Sequence, residues 1–75
     1  MKKLRDRFEV LLDNAKDGDS TAQLELAHCF YEGKLVEQSI ENARYWAFKA
    51  ADGGNKMAES YYNTISRPTS KEHNT

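Results

Sequence analysis

Apolar side chains recur along this chain three and four residues apart, in stretches that end at glycine or proline. Leu4, Phe8, Leu11, Leu12 and Ala15 form the first stripe, which stops at Gly18. Ala22, Leu26, Cys29 and Phe30 form the second, closed by Gly33. A third carries Ile40, Ala43, Trp46, Ala47, Ala50 and Ala51 and ends at Gly53-Gly54. The fourth holds Ala58, Tyr61, Tyr62 and Ile65, and Pro68 forbids its continuation. Each stripe lies along one side of a helix, whereas a half-buried strand would alternate residue by residue, which no stretch here sustains. The pattern predicts an all-α chain with four helices, near residues 3–17, 20–32, 39–52 and 55–66. Lys34 to Gln38 read as a loop, and Ser39 as the N-cap of the third helix. Residues 1–67 form a single domain; the polar residues beyond, 68–75, read as a frayed, flexible tail.

An internal repetition sharpens this picture. Ala15-x-x-Gly18-x-x-x-Ala22 returns as Ala51-x-x-Gly54-x-x-x-Ala58, an offset of 36 residues at all three positions. Asp19 and Asn55, at the same offset, follow the turn glycine and are placed to accept bonds from the free amides of the next helix. Ser20 with Gln23 offers a competing capping box in the first copy. Glycine supplies the positive φ that ends a helix, and small alanines on either side let antiparallel helices approach closely. Helix–turn–helix content with a period in the mid-thirties is the mark of a helical solenoid.

Ala22, Leu26, Phe30, Gly33, Val36, Ala43, Trp46, Lys49, Ala50, Ala51, Gly54 and Ala58 stand in the order of a known signature. It runs A-x-x-x-L-G, then Y-x-x-G-x-G-V-x-x-D-x-x-x-A-x-x-W, then K-A-A-x-x-G-x-x-x-A, and the chain so resembles the Sel1-like repeat family, relatives of the tetratricopeptide repeats. Phe30 takes the place of the tyrosine, Ala27 and Leu35 stand where the family has glycine, and Ser39 replaces its aspartate. Ser39 keeps the capping role. At Leu35 a backbone suited to glycine must adapt or leave the leucine exposed. The resemblance spans one full repeat, Ala22 to Lys56, flanked by the second half of a preceding repeat and the first half of a following one. It implies a short right-handed solenoid of two antiparallel helix pairs that contacts other proteins without catalysis.

Composition and charge narrow the chemistry. A chain of 75 residues has room for one small domain, which buries only about 60% of its unfolded surface. Eleven basic against twelve acidic residues leave a net charge of -1, so no global field draws it to nucleic acid or an anionic membrane. Lys2, Lys3, Arg5 and Arg7 cluster around Asp6, which reads as a solvated helix start rather than a nucleic-acid patch. After that start the longest apolar run is Val10-Leu11-Leu12, short of the roughly 7–15 residues of a signal peptide and the about 20 of a membrane helix. The expectation is a soluble, cytoplasmic protein. The lone Cys29 excludes an internal disulfide and suits a reducing compartment. His28 and Cys29 are neighbours on a helix and point about 100° apart, so Cys29 reads as a core thiol; a thiol enzyme centred on it is the disfavoured alternative. With His73 in the tail and no patterned carboxylates, no metal site or cofactor is expected. Trp46 reads as a core anchor.

Two groups remain as candidate contacts. Leu24, His28 and Tyr31, spaced i, i+4, i+7, lie away from Ala22, Leu26 and Cys29, and the resemblance places this helix on a concave face. Tyr45 and Phe48 occupy positions where the family carries polar residues; they are either a contact surface or packed against a loop or the tail. The expected function is a non-catalytic protein–protein interaction module. The alternative is a small inhibitor or anti-defence protein that blocks a larger enzyme by stoichiometric binding. Val10 at one end, and Tyr61, Tyr62 and Ile65 at the other, offer surfaces that a second copy or a partner would cover.

Overall fold

Helix boundaries in this protein are set by short polar side chains. The computed structural model describes residues 6–67, which form α1 (Arg7–Lys16), α2 (Ser20–Glu32), α3 (Ile40–Asp52) and α4 (Lys56–Ser66), with no strand among the described residues. Leu4, most of the basic cluster and the tail at 68–75 lie outside them. Asp6 accepts a bond from the Glu9 amide at 3.1 Å, Asp19 from Thr21 and Ala22 at 3.0 and 3.2 Å, Ser39 from Asn42 at 3.2 Å, and Asn55 from Ala58 at 3.0 Å. Each cap is extended and so lies just outside the helix it starts. For that reason α1 begins at Arg7 rather than near residue 3, and α3 and α4 each begin one residue later than the stripes suggest.

The Ser20–Gln23 capping box does not form. Asp19 takes the cap, and the buried Gln23 instead donates from Nε2 to the Ala15 carbonyl at 2.9 Å, tying α2 to the end of α1. The α1–α2 and α3–α4 turns close identically. Gly18 N–H donates to the Ala15 carbonyl at 3.0 Å, and Gly54 N–H to that of Ala51 at 2.9 Å. Asp19 N–H reaches the Asn14 carbonyl and Asn55 N–H the Ala50 carbonyl, both at 3.1 Å. Gly18 and Gly54 carry φ of +98° and +96°, as the repeated sequence leads one to expect.

The α2–α3 link is built differently. Gly33 is left-handed, and the Gly33 and Lys34 amides both donate to the Cys29 carbonyl. Leu35 follows at φ +70°, the one non-glycine residue with positive φ among the described residues, and it stands 56% exposed. It therefore adopts the glycine-like backbone and exposes its side chain as well. Gln38 Nε2 donates to the Tyr31 carbonyl at 2.8 Å, and Ser39 N–H to that of Phe30 at 2.9 Å, so the loop is pinned to the end of α2.

Every helix packs on its neighbour in the chain. Fully buried alanines, Ala27 on α2 and Ala43 and Ala47 on α3, form one cluster, which Ile65 of α4 completes. Ala15, Ala22 and Leu26 form a second with Phe8, Leu11 and Leu12 of α1 against it. Leu24, Ala50 and Ala58 form a third. Phe30 and Trp46 reach both of the first two clusters, so Trp46 is an anchor, though half-buried rather than enclosed. Ile40 leaves its stripe and stays exposed at the start of α3.

Two substitutions test this packing. Trp46→Ala should cost about 3 kcal/mol, the low end for deleting an indole because one edge is already wet; a urea midpoint shift far smaller than that would show Trp46 does not bridge the clusters. Leu35→Gly should stabilise the protein by roughly 0.5–1 kcal/mol, since relief of about 1–2 kcal/mol of left-handed strain exceeds glycine's entropic cost. A lowered urea midpoint would contradict it.

Candidate protein-binding surfaces

On α2 the side chains of Leu24, His28 and Tyr31 follow one another toward the helix end, and α4 lies beside them. The small Ala58 lets α4 come close, so Leu24 is only 8% exposed and packs with Ala50 and Ala58. Further along, the Tyr61 ring tilts onto His28 with centroids 4.2 Å apart, and Tyr31 meets Tyr61 edge-on at 6.0 Å. His28 is thus half-buried, not fully exposed, while Tyr31 stays exposed. Leu24 was expected on a free face. It is buried because α2 has neighbours on several sides and its apolar arc is wider than one stripe.

Between the two helices runs an open groove of about 480 Å³, lined by Leu24, His28, Lys56, Met57, Ser60, Tyr61 and Thr64. Met57, 69% exposed, is the most exposed apolar side chain of this lining and was not singled out from sequence. It falls one residue before Ala58 on α4 and off the stripe of Ala58, Tyr61 and Ile65. Only the approach of α4 to α2 gives it a role.

Tyr45 and Phe48 stand on α3, 52% and 54% exposed. Tyr45 meets Trp46 edge-on at 5.1 Å, with the Lys49 Nζ 5.9 Å from its ring centroid. Phe48 leans toward Tyr62 of α4 at 5.9 Å. Neighbouring rings therefore support both from one side, and about half of each side chain stays exposed. Neither lines the groove, so the structure carries two separate surfaces.

A second concavity, about 410 Å³, is lined by Arg7, Leu11, Glu25, His28, Cys29, Glu32, Lys34 and Leu35. It brings His28 and Cys29 to one wall, but His28 stacks on Tyr61 and makes no hydrogen bond to the thiol. Burial pushes the Cys29 thiol up, and Glu25 adds to the rise, against smaller opposing effects of Lys34 and Arg7. A thiol held protonated is a poor nucleophile. Among the described residues no group of three or more His, Cys, Asp or Glu side chains could hold a metal ion, and no helix is long and apolar enough to cross a membrane.

Tyr61 is the most perturbed group at the groove. Burial, with Glu32 and Tyr31 nearby, pushes its pKa up to about 12, and its buried Oη has no hydrogen-bond partner among the described residues. The unfolded chain loses this proton near 10, so between about pH 10 and 12 the native state binds more protons than the unfolded state, and stability falls as pH rises. Tyr61→Phe should remove that part of the alkaline loss. Near neutral pH it should be neutral or slightly stabilising, because it deletes an unsatisfied hydroxyl. Denaturant midpoints at pH 8 and pH 11.5 check both; a clear loss at pH 8 would show that the hydroxyl is satisfied in solution.

Comparison with protein-family models, with curated proteins and with solved structures finds no match to this chain.

Proposed function

We propose that the protein is a non-catalytic interaction module, a truncated Sel1-like solenoid of two antiparallel helix pairs. On this reading it binds one modest epitope of another protein. The observation that carries this is the groove between α2 and α4, with Met57 exposed at its rim. These two helices are related by the 36-residue offset: each follows a glycine turn of the same geometry, each is capped by the residue after that glycine, and Ala22 and Ala58 hold equivalent places. Side-chain contacts between these equivalent helices, through Leu24, Ala58, His28 and Tyr61, are compatible with a repeat stack. Tyr45 and Phe48 supply a second contact, since exposed aromatics are enriched in interfaces.

The elevated, buried thiol supports binding over catalysis and fits a reducing, cytoplasmic setting. Inhibition of a larger enzyme is the same binding with a different consequence, and only the partner's activity separates the two. A second copy is the weaker candidate for cover. Ile65 is buried, and Tyr61 and Tyr62 are half-covered within the chain, which leaves Val10 of α1 as the exposed part of the expected ends.

Affinity capture from native cells tests the reading, with the wild-type protein, Tyr45→Ala/Phe48→Ala and Met57→Lys as baits. All three should show the same helical circular dichroism, because these side chains are largely in solvent. A protein retained by wild type and depleted at least tenfold from one variant is the expected result. Identical captured sets would overturn it, and loss of a captured enzyme's activity at equimolar ratio would select the inhibitor.

A further inference from the structure

The lining of the α2/α4 groove carries a charge bias opposite to that of the whole chain. Twelve acidic residues outnumber eleven basic ones over the sequence, yet no carboxylate lines this groove. Its polar groups are Lys56, His28 and the hydroxyls of Ser60 and Thr64; its apolar ones are Leu24, Met57 and Tyr61. Glu25 and Glu32 of α2 line the other concavity instead, together with Arg7 and Lys34, which balance them there. Lys56 makes no ion pair with any described residue. A cation with no ion-pair partner among the described residues, beside an apolar floor and two hydroxyls, matches a ligand that brings its own anion and its own apolar group.

We propose that this groove takes a short peptide segment of a partner protein in which an aliphatic side chain sits next to a carboxylate. The proposal rests on the interaction reading above and narrows it to one ligand chemistry. The aliphatic group packs over Leu24 between Met57 and Tyr61, and the carboxylate faces Lys56. The volume of about 480 Å³ suits a few side chains, not the face of a folded domain. Attraction to one exposed lysine is screened by salt, so the acidic preference weakens as ionic strength rises.

The test is titration of the isotope-labelled full chain, followed by amide chemical shifts, with three end-blocked hexapeptides of sequence GSLESG, GSLKSG and GSSESG. The first should move the amides around Leu24, His28, Met57 and Tyr61, and should bind at least tenfold more tightly than the second. The third, lacking the leucine, should be as weak as the second. Lys56→Glu should invert the order of the first two, and Tyr45→Ala/Phe48→Ala should change nothing. Equal binding of GSLESG and GSLKSG in the groove would overturn the acidic preference while leaving the interaction reading intact. Shifts confined to Tyr45 and Phe48, or no shifts at millimolar peptide, would overturn the groove as the peptide site. A captured partner that still depends on Met57 would then show that the broader reading survives. Groove shifts that depend on protein concentration alone would assign the surface to a second copy and overturn the proposal.

Discussion

Close approach of helices through alanine is the constraint from which the other features follow. Ala27, Ala43, Ala47, Ala50 and Ala58 are wholly withdrawn from solvent, and Leu26 is the one large side chain among the described residues that is fully buried. Alanine buries little area, so these seams set geometry more than they supply hydrophobic free energy. The larger contribution must come from the rings of Phe8, Phe30, Trp46, Tyr61 and Tyr62 and the aliphatic chains of Leu11 and Leu12 at the edges of the seams. Among the described residues no further layer of helices covers those edges. Those rings are therefore half-buried, and the same packing that holds the fold together creates its surfaces.

Much of this was legible in the stripes because helix, cap and turn are local. Asp19, Ser39 and Asn55 act within three residues of themselves, and Gly18 and Gly54 need only their own φ, so their roles could be read without knowing the fold. What could not be read was anything that depends on two helices meeting. Leu24 looked free because the stripe of α2 was drawn for one neighbour, whereas α4 buries it from a second side. His28 looked exposed for the same reason, until Tyr61 settled on it. Met57 stayed unnoticed because its importance lies in the groove and not in its helix. Gln23 was misjudged in the opposite sense: a local capping partner was available, but a longer-range bond to the Ala15 carbonyl satisfied its amide inside the core.

Leu35 and Tyr61 show where local preference and tertiary demand disagree. At Leu35 the chain must turn sharply after Gly33 so that Ser39 and Gln38 can bond the last carbonyls of α2, and a leucine accepts a left-handed backbone to allow it. At Tyr61 a ring is wanted between His28 and Tyr31, and the hydroxyl is carried into a place with nothing to bond. In both cases the local cost is smaller than the loss of the contacts it permits. A natural domain with few contacts to spare keeps such compromises when the surrounding packing over-determines them.

The two surfaces differ in shape, and so in what a ligand would have to bring. Tyr45 and Phe48 project from a single helix, braced from one side by Trp46 and Tyr62, and a partner would have to close over their exposed sides. The groove is concave already and needs only a projecting side chain. Its walls belong to α2 and α4, which are not consecutive and are held in register through Ala50 and Ala58 and the rings above them. Any change that loosens the α3–α4 turn therefore alters the groove before it alters either helix. Gly54 has open space where a Cβ would stand, so a side chain there would strain φ without a clash. That strain falls on the turn that sets the spacing of the groove walls, which makes the repeated glycine a determinant of groove geometry as well as of the helix end.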